Sequence, residues 1–152
     1  MATTYTTYDA ASGGATIAAS SGGNYAGSPV QTILTGVFDA SKRNLAAADV
    51  AEVVTIPAGT HVQQVFVEVL TVDDTGHKFE VGDGTDPNGY VTATEGAADA
   101  LATIRGNGAY VDATAAGVGK LYTAADTIDV LANTGDPLDT FKVRISAVCT
   151  IV

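Results

Sequence analysis

The last thirteen residues, Thr140–Val152, alternate so regularly that they restrict what the rest of the chain can become. Phe141, Val143, Ile145, Ala147, Cys149 and Ile151 fall on one side of an extended backbone, and Lys142, Arg144, Ser146, Val148 and Thr150 on the other. A period of two residues is the signature of a β-strand with one buried face. A chain terminus this apolar must be tied down, and an exposed edge would invite pairing with other chains. The segment is therefore expected inside a sheet, with the remaining strands built around it.

Other segments repeat the pattern at shorter lengths. Val30–Phe38 is rich in β-branched residues, and Val50–Ile56 ends at the turn formers Pro57, Ala58 and Gly59. Thr60–Val72 is the longest β run, with Val65, Val67 and Val69 on one face and Phe66, Leu70 and Val72, interrupted by Glu68, on the other. A strand apolar on both faces is central or is covered by another chain. After the Asp73–Gly76 turn, His77, Phe79 and Val81 alternate with Lys78 and Glu80, and short strands follow at Tyr90–Thr94, Val118–Thr123 and Thr127–Ala132. Ser41–Ala48 reads as a short helical turn capped by Ser41, and Glu95–Asn107 admits a helix, a strand or a long crossing loop. About eight strands at these spacings predict an all-β, antiparallel β-sandwich, jelly-roll-like, with an immunoglobulin-like sandwich as the alternative. The Cys…Trp…Cys pattern of the latter is absent, because the chain has no Trp.

Residues 1–28 differ from this body, placed at 29–152. They hold one charge, Asp9, and are otherwise mostly Ala, Thr, Ser and Gly, with glycine pairs at 13–14 and 22–23. Such a segment buries too little apolar area to order itself, so it is expected to be a flexible N-terminal arm with a reach of roughly 90 Å when extended. Tyr5, Tyr8, Ile17 and Tyr25 are its candidate anchors on a partner. Ordering the arm would cost about 1–2 kcal/mol per residue in backbone entropy, so the partner would have to offer strand pairing or pockets along its length.

Composition narrows the function. Net charge is −10 and no Lys/Arg run occurs, which removes the main source of affinity for nucleic acid. Only 16% of residues are charged, against about 25% in an ordinary soluble domain, consistent either with a surface partly covered by neighbours or with Thr, Ser, Asn and Gln replacing charge. The single cysteine, Cys149, allows no internal disulfide and sits at an apolar strand position, where a thiol is inert. No run of about 18 apolar residues is present, and residues 1–28 lack the basic start of a signal peptide.

No catalytic constellation is found. His61 and His77 have neither metal-ligand nor triad spacing, and read as ordinary turn and strand-end histidines. The loop Gly82–Gly89 carries the one acidic cluster with ligand-like spacing: Asp83, Asp86 and Asn88 offer three oxygens for calcium. The same residues are what a tight turn uses, and no metal or cofactor is assigned. A glycosidase carboxylate pair and a phosphate-binding glycine loop are both disfavoured by the turn-like surroundings of the acids and the missing Lys-Ser/Thr.

Taken together, Leu45–Val50, Val53–Thr60, Val65–Leu70, Val81–Tyr90 and Leu121–Val130 resemble segments of small structural proteins of tailed bacteriophages, in particular head decoration (cement) proteins. The resemblance spans roughly Leu45–Val152 and consists of turn and strand grammar rather than a catalytic signature. It implies a β-sandwich that binds the outer surface of a capsid through the major capsid protein. Such proteins often form trimers and carry an extended arm, and the protein would be assembled into virions in the host cytoplasm. The competing expectation is a sugar-binding or adhesive module of a phage tail fibre or a cell surface, using the Gly82–Tyr90 loop.

Overall fold

In the computed structural model the described residues are 4–5, 30–74, 76–93, 96–111, 119–133 and 135–151. Among them the chain is all-β, with strands β1 (Thr4–Tyr5), β2 (Val30–Asp39), β3 (Val50–Ile56), β4 (Thr60–Thr71), β5 (Phe79–Gly82), β6 (Thr103–Arg105), β7 (Lys120–Tyr122), β8 (Asp126–Ala132) and β9 (Lys142–Ile151). No helix among the described residues is long and apolar enough to cross a membrane.

The C-terminal strand occupies the position its alternation demands. β9 lies between β2 and β4, paired antiparallel along its whole length on both sides, from Val30↔Ile151 to Asp39↔Lys142 and from Thr60↔Ile151 to Thr71↔Lys142. The far edge of β4 is shared by β7, opposite Thr60–Val62, and β6, opposite Phe66–Glu68. The second sheet runs β1-β3-β8-β5, antiparallel except for the two-residue parallel pairing of β1 with Val50–Ala51. Successive strands β2 to β6 pass from one sheet to the other and back, and the first strand of the body pairs with the last.

The core lies between the sheets. Ile56, Phe79, Val81, Ile128 and Val130 face Phe38, Val65, Val67, Phe141 and Ile145, all fully buried. Phe79 and Phe141 meet across the sandwich with ring centroids 4.8 Å apart. At Gly36 in β2 a Cβ would collide with the Val53 carbonyl oxygen, so the sheets close at this corner only because the position is glycine.

The Ser41–Ala48 segment is not helical. Asp39 accepts from both the amide (3.2 Å) and the hydroxyl (2.6 Å) of Ser41, turning the expected cap residue back toward β2. Leu45 is then buried and exchanges two backbone hydrogen bonds of 2.8 Å with Leu138, which holds the segment extended. Of the strand expected at Tyr90–Thr94, the described residues 90–93 form a single bridge, Val81↔Val91, and of Glu95–Asn107 the described residues 96–107 are loop, the bridge Lys78↔Ala97 and the short β6, while Thr94 and Glu95 lie outside the described residues. In both segments side-chain burial and long-range pairing outweigh local propensity.

Buried polar groups pin the connections. Asp73 Oδ2 accepts from the amides of Asp139 (3.0 Å), Thr140 (3.1 Å) and Phe141 (2.9 Å), fixing the approach to β9. Its Oδ1 accepts from the Asp74 amide at 2.8 Å and lies 3.1 Å from His77 Nδ1. Burial alone would raise the Asp73 pKa, but these donors outweigh it and hold the carboxyl below its ordinary range.

Truncating Phe141→Ala removes a fully buried ring from the seam between sheets and should cost about 3–5 kcal/mol, read as a lower denaturation midpoint at unchanged m-value.

Candidate interaction surfaces

Both sheets have an outer face, and the register fixes what each presents. On the β2–β9–β4 sheet, the outward row Ile33–Val148–Gln64 neighbours the rows Thr35–Ser146–Phe66–Arg105 and Gln31–Thr150–His61–Leu121. Ile33 is 61% exposed, Leu121 52% and Phe66 38%. A shallow depression lined by Gln31, Thr32, Ile33 and Val148 lies at the β2 edge. The few charges on this face are spent within it: Arg144 donates to Glu68 at 2.9 Å and Arg105 Nε to Gln64 at 3.0 Å. The two-sided apolar character of Thr60–Val72 is thus divided, with Val65, Val67 and Val69 buried and Phe66 and Val72 exposed.

The Gly82–Gly89 loop is organised by its first carboxylate. Asp83 is buried and accepts from the amides of Thr85 (2.9 Å) and Asp86 (3.0 Å), the hydroxyls of Tyr110 (3.2 Å) and Tyr122 (2.7 Å), and the ammonium of Lys120. Lys120 also donates to the Tyr110 hydroxyl at 3.0 Å and lies over the Tyr110 and Tyr122 rings. Tyr90, fully buried, places its hydroxyl 2.9 Å from that of Tyr122. Burial would raise the Asp83 pKa, but Lys120, Tyr122 and the loop amides hold it below the ordinary carboxylate range. Burial next to this anion drives the Tyr122 hydroxyl far above its ordinary pKa. The cluster is a clasp that fastens the loop after β5 to β7 of the opposite sheet.

Of the calcium candidates, Asp83 has its oxygens engaged by these donors, Asp86 is half-buried with Oδ1 3.4 Å from the Asn88 amide, and Asn88 is exposed. Asp73, Asp74 and His77 bring ligand atoms within 4.8 Å of one another, but Asp73 is the pin described above. His61 lies on the outer face of β4, opposite Leu121. Cys149 is buried in the core, which pushes its thiol up to about 11. Among the arm residues, Tyr5 contributes its backbone to β1, while Tyr8, Ile17 and Tyr25 lie outside the described residues.

One feature escaped the sequence reading. On the outer face of the β3–β8–β5 sheet, Glu52 stands directly opposite Asp129. Asp129 is 7% exposed and its Oδ1 has no hydrogen-bond partner. Burial, partly offset by the Thr127 side chain and reinforced by Glu52 and Asp126, pushes its carboxyl up to about 6. The alternation of Thr127–Ala132 places Asp129 opposite the core face, but nothing in the sequence states the register that sets it against Glu52.

The strand order defines a jelly-roll sandwich, in which the first and last strands of the body are neighbours. Solved structures of similar fold include a chain of the capsid asymmetric unit of cyanophage Pam1: TM-score 0.63, 17% identity, 86% of this chain and 91% of that one covered. A chain of the capsid of Ralstonia phage GP4 aligns with a TM-score of 0.59 at 14% identity, over 86% of this chain and 88% of that one. At these identities the likeness is one of fold. No protein-family model matches the chain. No curated protein matches it.

Replacing Asp83→Asn leaves the Lys120 ammonium without its counter-charge and should cost about 3–5 kcal/mol in urea unfolding at neutral pH. The native protein's share of this stability is present above the ordinary carboxylate pKa and is lost as pH falls through the lowered Asp83 value.

Asp129 has the opposite sign. Its stability contribution is complete below about pH 3.8 and is lost as pH rises through about 6. Asp129→Asn should therefore raise the melting temperature at pH 7–8, by up to about 3 kcal/mol of stability, with the gain vanishing toward pH 4.

Proposed function

We propose that this protein is a virion structural component of a tailed bacteriophage, a decoration (cement) protein that binds the outer capsid surface through the major capsid protein and stabilises the head. The role is one of holding neighbours in place, without turnover of a substrate. The observation that carries the reading is the outer face of the β2–β9–β4 sheet, where Ile33, Phe66 and Leu121 stand exposed on a chain with only 16% charged residues. Apolar side chains grouped on one face and rimmed by internally paired polar groups suit a protein–protein contact, with burial contributing about 25 cal/mol per Å². The likeness in fold, over 86% of this chain, to chains from two phage capsids supports the same reading. In this account the protein acts as a trimer, and residues 1–28 extend along neighbouring subunits, with Tyr5, Tyr8, Ile17 and Tyr25 as anchors.

The test uses capsids purified without the protein. Phe66→Glu and Ile33→Glu, both at solvent-facing positions, should leave the melting temperature nearly unchanged. Each should weaken capsid attachment by roughly 30-fold, the loss of about 2 kcal/mol typical of an interface anchor. Deleting residues 1–28 should weaken attachment further, and native mass should correspond to three copies. Undiminished binding by the face variants would reject the assignment of this surface, and full-length protein that ignores capsids altogether would reject the cement role.

A further inference from the structure

The Glu52–Asp129 pair is an arrangement that a sheet serving only its own stability would avoid. Like charges directly opposite on neighbouring strands repel, and the β3 register shifts immediately after Glu52, a bulge of the kind that re-aims side chains. Asp129 is nine-tenths buried with one oxygen unpartnered, and a buried acceptor without a donor is costly. It lines a groove of about 240 Å³ whose walls combine Glu52, Asp126 and Asp129 with the apolar surfaces of Val50, Pro87 and Leu131. Asp83 also reaches the groove but carries its own cation, Lys120.

We propose that this groove is a socket for a lysine or arginine side chain of a basic partner chain. The cation would pair with the Asp129 carboxylate that lines the groove and relieve the cross-strand repulsion, while Val50, Pro87 and Leu131 would pack its methylene stem. A divalent ion is a poorer fit. It needs several oxygens within about 2.6 Å of one point, and Glu52, Asp126 and Asp129 do not form a group with ligand atoms within 4.8 Å of one another. The chain's own arm is not the source, since residues 1–28 contain no Lys or Arg. A net charge of −10 disfavours a second copy and favours a partner of opposite charge. The groups that face the socket are Glu52 from β3, Asp126 and Asp129 from β8, and the Asp83–Lys120 pair from the loop side.

The test needs only the isolated full-length protein, so its result is independent of the capsid reading. Amide NMR shifts are followed at pH 7.5 and low salt during titration with capped Gly-Lys-Gly and Gly-Arg-Gly peptides, with Gly-norleucine-Gly as the uncharged control. Shifts should concentrate at Glu52, Gly84 and Asp126–Leu131. Affinity should fall at least tenfold in Asp129→Asn, to a lesser extent in Glu52→Gln, and also on lowering pH to 4.5. Both variants should melt no lower than the parent, so a lost response is not a lost fold. Equal binding of the norleucine peptide, shifts scattered over all surface acids, an unaltered response in Asp129→Asn, or stoichiometric calcium binding at these residues would each overturn the socket. A drop in native mass in Asp129→Asn would overturn the assignment to a different chain and give the socket to a second copy.

Discussion

Everything in the sandwich is arranged around a strand that has neighbours on both sides. β9 pairs antiparallel with β2 along one edge and with β4 along the other. Its inner residues Val143, Ile145, Ala147 and Cys149 form the floor of the core. A strand so placed has all its backbone polar groups in ladders, so its apolar face is buried without orphaned donors or acceptors. The pairing also joins the first strand of the body to the last, at a sequence separation that only a completed fold rewards. The remaining strands are then limited to covering this sheet or extending it.

Three buried carboxylates, Asp73, Asp83 and Asp129, do more than carry surface charge. Asp73 gathers the three amides that lead into β9, and Asp83 gathers two loop amides, two tyrosine hydroxyls and an ammonium. Each is buried, and each is kept ionised because donors outnumber what burial removes. They replace the disulfides that a chain with one cysteine cannot have, fastening turns to the sheets by charge-assisted hydrogen bonds. Asp129 is the exception, buried but short of donors, and it faces outward from the β3–β8–β5 sheet.

The two outer faces therefore differ in kind. One presents Ile33, Phe66 and Leu121 among polar groups that already have partners, and so favours burial of area. The other presents an acidic groove lined by Asp129, one of whose oxygens has no hydrogen-bond partner, and so favours a particular chemical group. In the proposed role, attachment through both would combine a broad contact with a pointed one, and multiple such contacts reinforce each other without any one being strong.

How much of this was legible in the chain depends on the range of the interactions involved. Periodicity and turn formers placed β2, β3, β4, β8 and β9 to within a residue or two, because strand alternation is written by neighbouring residues against a single core. The burial of Cys149 and the grouping of Val65, Val67 and Val69 on one face of β4 followed from the same alternation, but which of the two apolar faces of β4 is buried did not. Ser41–Ala48 was misread because the burial of Leu45 against Leu138 is invisible locally. The metal-like spacing of Asp83, Asp86 and Asn88 likewise concealed that Lys120, 37 residues away, supplies the cation. Sequence alone determined the long strands β2, β3, β4, β8 and β9 and the alternation of their side chains. Only the tertiary structure decided the order of the strands and the register that sets Glu52 against Asp129, because pairing joins residues whose separation along the chain leaves no local trace.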